Sequence, residues 1–219
     1  MLNMMTASVL AAVLAGGSAS ATAEPVRDFV VAAQMDNASM VRKLLKNGGN
    51  PNTVDPITGQ SVLILALREG ANDVVMLLLA QPGIDLELAA PNGNRALMMA
   101  AFKRNKPALL ALLAKGAIVT YPGWTPLHYA AAGGDEEIVR ILLEHHAYID
   151  AETPSKLTPL MIAAREGHES AAGVLLQEGA DATLRNNESL TAVQIAERAD
   201  KPRIAAAIAA HLAQARREP

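Results

Sequence analysis

The chain sets out its apolar and polar positions in a compound rhythm. From Trp124 to His145 it reads WTPLHYAAAGGDEEIVRILLEH. Small and apolar residues run to Gly133-Gly134 and an acidic trio follows. Ile138, Ile141, Leu142 and His145 then fall near one face at helical spacing. This predicts two short helices joined by a tight turn. Thr125-Pro126 and Thr158-Pro159 each supply a hydroxyl N-cap followed by proline at the first helical position, where a missing N–H costs little. Gly70, Gly134 and Gly167 mark the end of the first helix. Gly48, Gly116 and Gly179 mark the end of the second. At both places the backbone must turn left-handed.

The same phrase returns as LTPLMIAAREGHESAAGVLLQEG. Thr125, Thr158 and Thr191 are 33 residues apart, and earlier units start near Arg27, Ser61 and Arg95. Each unit carries alanine at its sixth position: Ala32, Ala66, Ala100, Ala130, Ala163 and Ala196. Leucine pairs follow in most copies, as in Leu78-Leu79 and Leu142-Leu143. Small residues at one fixed position let helices approach closely. One such helix pair cannot bury its own apolar face, so neighbours must stack on it. Six units cover Arg27 to about Gln214.

TPLHYAAAGG…IVRILLEH and TPLMIAAREGHESAAGVLLQEGAD resemble ankyrin repeats, over roughly residues 27–214. The leader together with GWTPLHYAA is similar to the small exported, periplasmic ankyrin proteins of bacteria. The resemblance implies an all-α ankyrin-repeat helical solenoid of about six stacked helix-turn-helix units with hairpin-like loops. It implies one domain over 24–219, protein–protein binding on a concave face and at loop tips, and no chemistry. Departures are local. Asp36, Arg104 and Asp200 stand where the first helix ends in glycine in other units, Pro107 opens the second helix of the third unit, and His146 replaces a capping glycine. The loop from Gly116 to Thr125 is three residues shorter than that from Gly179 to Thr191, whereas the first two units are 34 residues long.

Composition agrees with helices. Hydrophobic residues make up 51% of the 219 but aromatic ones only 3%, so alanine and leucine carry the core. A net charge of -3 and the lack of any basic run argue against a nucleic-acid partner. No cysteine is present, which excludes disulfides and a thiol nucleophile. The first 23 residues have no charged side chain. An apolar run from about Ala7 to Ala15 leads to two A-x-A sites, Ala19-Ser20-Ala21 and Ala21-Thr22-Ala23. This pattern predicts a signal peptide over 1–23, cleaved before Glu24, and a periplasmic or, alternatively, secreted location. No Lys or Arg marks its n-region. The mature chain is expected to be a monomer that inserts in no membrane.

Catalytic motifs are missing: there is no G-x-S-x-G, H-E-x-x-H, P-loop or G-x-G-x-x-G sequence. The resemblance gives His128, in TPLH, a local hydrogen-bonding role. His145-His146 lack a third ligand at useful spacing. Asp135, Glu136 and Glu137 suit the positive end of a helix better than a cation. The sequons at Asn37 and Asn187 matter only in a eukaryotic secretory route. No enzyme activity, cofactor or metal is expected. The function expected is protein binding in the periplasm. Alternatives are a secreted effector acting on a host protein, or an accessory that stabilises an envelope enzyme.

The fifth and eighth residues of each first helix are expected on the binding face. In the middle units these are Met99/Phe102 and Tyr129/Ala132, flanked by Arg68, Arg165 and Arg198. The short loop adds Tyr121 and Trp124. Aromatic anchors with an arginine rim have the composition of a binding hot spot.

Overall fold

The computed structural model describes residues 25–215; the leader at 1–23 and its cleavage point lie outside them. Those residues form twelve helices and no extended strand. Packing groups the chain into two compact bodies, one ending at Gly93 and one beginning at Asn94.

The amino-terminal body holds α1 (25–34), α2 (Ala38–Lys46), α3 (Val62–Glu69) and α4 (Asn72–Leu79). Ser61 caps α3 by accepting from the Ile64 N–H, and every residue from Val62 to Leu67 is buried. The loop between α2 and α3 is a hairpin-like finger pinned by a single antiparallel bridge, Val54 to Ser61. Inside it, buried Asp55 accepts from the Ile57 N–H and from both the N–H and the hydroxyl of Thr58. The Thr58 hydroxyl is the main reason its carboxyl stays below the ordinary carboxylate range. Side chains also tie the two repeats together. Asp36 accepts from the Val74 N–H at 3.0 Å. Asn52 donates to the Gly83 carbonyl and accepts from the Asp85 N–H, both at 2.8 Å.

The carboxy-terminal body holds four helix pairs. They are α5 (Ala96–Phe102) with α6 (Lys106–Ala114), α7 (Pro126–Gly133) with α8 (Glu136–Glu144), α9 (Pro159–Glu166) with α10 (Glu169–Gln177), and α11 (Ala192–Arg198) with α12 (Pro202–Ala215). The first helices α5, α7, α9 and α11 pack in series, as do α8, α10 and α12. Ala100, Ala130, Ala163 and Ala196 are wholly buried, so the sixth-position alanines set the close spacing of the first helices. At Gly133 backbone meets backbone closely: an added Cβ would stand 2.9 Å from the Phe102 carbonyl oxygen.

Four of the departures from the repeat pattern have one physical reading. Asp36, Arg104, His146 and Asp200 all take the left-handed backbone of the glycines they replace, with φ of 52°, 57°, 64° and 55°. Two of these side chains are used between repeats: Asp36 as above, and Arg104, whose Nε donates to the Gly133 carbonyl at 2.6 Å. The acidic trio serves α8. Asp135 caps it through the Glu137 and Ile138 N–H groups, and the two glutamates lie in its first turn.

Candidate functional site

The short loop before α7 brings an aromatic cluster together. Three residues shorter than the finger that follows it, this finger runs directly from α6 to the start of α7. Trp124, the residue before the cap, lies 5.7 Å from the Tyr129 ring and 5.5 Å from the His128 ring. Phe102, at the end of α5, meets Tyr129 edge-on at 6.3 Å and 89°. This is the geometry that the opposed charge of ring face and ring edge favours. Phe102 and Trp124 remain 46% and 40% exposed, and Tyr129 is half-buried. The Tyr129 hydroxyl donates to Asn94 Oδ1 at 2.5 Å, and burial pushes its pKa above the ordinary phenol value. It therefore stays a neutral donor.

His128 holds this cluster from below and is wholly buried. Its Nδ1 faces both the Thr125 N–H at 3.1 Å and the Thr125 hydroxyl at 2.9 Å. Its Nε2 faces the Leu157 carbonyl, on the next finger, at 3.0 Å. A backbone N–H can only donate and a carbonyl can only accept. The ring is therefore neutral with its proton on Nε2. Burial lowers its pKa, which keeps it so. The ring links one helix start to the next finger, and the Thr125 hydroxyl on its Nδ1 is itself buried.

A second feature lies in the last two repeats. Leu157 and Leu190 occupy the position that Trp124 holds one and two repeats earlier. With Ile195, Arg165, Arg198, Ser155 and the turn Asn186–Glu188 they line a groove of about 470 Å³. Hydrogen bonds hold its finger wall. Asn186 accepts from the Glu188 and Leu190 N–H groups, and Asn187 donates to the carbonyls of Ser155 and Pro154. Arg198 pairs with Glu188, and Arg165 pairs with Glu166 at 2.9 Å.

Of the residues expected on the binding face, Phe102, Trp124 and Tyr129 come together as one cluster, and Arg165 and Arg198 share the groove. Tyr121 lies on the short finger, its ring under the Arg95 guanidinium at 4.2 Å. Met99 is only 9% exposed and offers a partner little area. Leu65, Ile162 and Ile195, at the same fifth position, are buried too. The fifth position therefore mostly packs inward, and the eighth position and the residue before the cap carry the surface. Arg68 belongs to the amino-terminal body, where it contacts Gln60 at 2.9 Å and Glu69 at 2.8 Å.

Sequence reasoning missed Asn94 and Arg95. Arg95 stands where other repeats place a capping Ser or Thr, and it supplies no side-chain cap. A guanidinium can only donate, so it cannot cap an N-terminus. That misfit in the repeat was the legible signal: the position serves the neighbouring tyrosine instead. Among the described residues no group of three or more His, Asp or Glu side chains could hold a metal ion, and no helix is long and apolar enough to cross a membrane.

A family model described as ankyrin repeats, three copies, matches residues 29–122 and 119–186. The chain is 39% identical over 113 residues to SH3 and multiple ankyrin repeat domains protein 2 of Homo sapiens, a match covering 50% of this chain and 6% of that protein. It is 34% identical over 123 residues to transient receptor potential cation channel subfamily A member 1 of Homo sapiens, covering 53% of this chain and 11% of that protein. The chain thus spans a small part of the length of these relatives. Among solved structures, the ankyrin repeat domain of Bcl-3, a member of the IkappaB protein family, aligns with a TM-score of 0.65 and 28% identity over 80% of each chain.

Proposed function

Because this chain belongs to the ankyrin-repeat family, whose repeats generally mediate contacts between proteins, we propose that it is an exported, non-catalytic binding protein of the bacterial periplasm. It holds a protein partner against the first-helix and finger side of its carboxy-terminal body. The observation that carries this is the cluster of Phe102, Trp124 and Tyr129. Two large rings are left nearly half exposed, both packed against the same half-buried tyrosine. Soluble proteins rarely leave such rings together in water without a use for them. The scaffold beneath is rigid, with His128, Arg104 and Asn187 bonding one repeat to the next. A preformed surface loses little entropy on binding. The compartment is inferred from the leader at 1–23, which reads as a cleaved signal peptide, and fits a chain without cysteine.

The test is to capture the partner by cross-linking in cells, identify it, and measure its affinity for Phe102→Ala and Trp124→Ala separately. Each is expected to raise Kd by about tenfold or more, the hallmark of an anchor residue. Unchanged affinity in both, with helix content intact, removes the hot spot. Fractionation of the producing cells checks the compartment, and recovery of the chain in the cytoplasm with its leader uncut overturns the export reading.

A further inference from the structure

The groove of the last two repeats already holds a carboxylate. Arg198, at the end of α11, reaches across to Glu188 at the finger tip, a contact spanning ten residues of sequence. The Glu188 backbone is held in place there, its N–H donating to Asn186 Oδ1 and its neighbour Ser189 turning at φ 61°. Beside Arg198, at the matching position one repeat earlier, Arg165 lines the same groove and uses its Nε on Glu166. A guanidinium carries five N–H donors in a fixed fork that matches a carboxylate. Each arginine therefore keeps donors beyond the one pairing it makes. The floor between them is apolar: Leu157, Leu190 and Ile195.

The geometry points to an extended, acidic segment of a protein partner as the occupant of this groove. One Asp or Glu carboxylate of that segment takes the place of Glu188 on Arg198 and approaches Arg165, while apolar side chains on either side of it lie on the leucine floor. This rests on the protein-binding reading and narrows it. The groove volume of about 470 Å³ suits a short segment rather than a folded surface. Of the charged residues lining the groove two are arginines and one is a glutamate, and Glu166, the partner of Arg165, lies outside the lining. The groove wall therefore favours an anion over a cation, and Glu188 is an internal competitor for the site. Arg198 and Glu188 are both well exposed, and exposed ion pairs are weak, so a ligand held by additional apolar contacts displaces this one.

The experiment titrates the mature chain, followed by amide NMR shifts at near-physiological salt. The probes are the peptide Ac-Ala-Leu-Glu-Leu-Ala-NH2, its Glu-to-Gln counterpart, and inorganic phosphate. The acidic peptide is expected to bind about fivefold or more tighter than the neutral one, with shifts at the groove residues. Arg198→Gln is expected to bring that ratio close to one. Glu188→Gln is expected to strengthen acidic-peptide binding about threefold or more, whereas Glu152→Gln, an exposed acid that does not line the groove, leaves it unchanged. Equal binding of the two peptides, binding of neither, or equal effects of the two glutamate variants overturns the inference. So does a preference for phosphate over the acidic peptide, because the anion and not the segment is then recognised. If the inference falls while Phe102→Ala and Trp124→Ala still weaken the natural partner, the protein-binding reading stands without it.

Discussion

Adding one methyl group at Gly133 tests whether close helix approach sets up the aromatic site. Gly133 is the last residue of α7 and is buried against α5. A Cβ there would lie 2.9 Å from the Phe102 carbonyl oxygen and 3.2 Å from that of Ala101. Both are backbone atoms at the end of a helix, so neither can swing aside as a side chain could. Overpacking of this kind destabilises by about 1–3 kcal/mol. Replacing a helical glycine by alanine returns up to about 1 kcal/mol, and less at the last helical position. The net expectation for Gly133→Ala is a loss of about 1–2 kcal/mol. Gly173 supplies the control: it sits inside α10 with nothing within 4 Å of a built Cβ, so Gly173→Ala should gain about 0.5–1 kcal/mol. For a chain of this size 1 kcal/mol moves the melting midpoint by about 2–4 °C, so the two variants should move in opposite directions. Repeat arrays can unfold in parts, so urea transitions read at 222 nm should accompany the melts. The same strain displaces Phe102 against Tyr129, so partner affinity should fall even where Gly133→Ala is fully folded. A Gly133→Ala variant as stable as the parent, alongside a stabilised Gly173→Ala, would refute the reasoning.

The exposed His146 takes a left-handed backbone at φ 64°, so His146→Gly should relieve about 1 kcal/mol of backbone strain and raise the urea midpoint, less the greater entropy that glycine loses on folding. Arg104→Gly relieves the same strain but loses the bond to the Gly133 carbonyl, so it should show no gain. His128 sets a pH dependence. Burial holds its folded pKa below the ordinary 6.5, so the unfolded chain binds more protons in mild acid. Its stabilising contribution is complete above about pH 6.5 and is lost as the pH falls toward the folded value. Urea midpoints measured down that range should fall less steeply for His128→Gln than for the parent, and equal slopes would contradict the burial of a neutral ring in the folded chain.

The helix pairs were legible in the sequence because each depends on local chemistry repeated at a fixed period. Thr158 caps its helix by accepting from the Met161 N–H, and Gly134 and Gly167 turn left-handed at 79° and 84°. A residue and its neighbours within four positions settle such features, so one sequence suffices to read them. Even the misfits carried information, since the left-handed turn survives where Asp36 or Arg104 replaces glycine.

Which side chains face outward was not settled by periodicity. The fifth positions are equivalent in the repeat pattern, yet Leu65 and Ile162 are buried while Tyr129 is half exposed. Their fate depends on the finger that folds over them, and finger length is a property of the loop, not of the helix. The same holds for Arg95 on Tyr121 and for Arg198 on Glu188, pairs that are 26 and 10 residues apart. The sequence by itself determined that helix pairs form and that each must lean on another, because capping, turning and apolar periodicity are local. Only the tertiary structure decided that three rings meet beside a short finger and that two arginines share one groove. Those contacts are made across repeats, and their distances follow from the packing of whole helices.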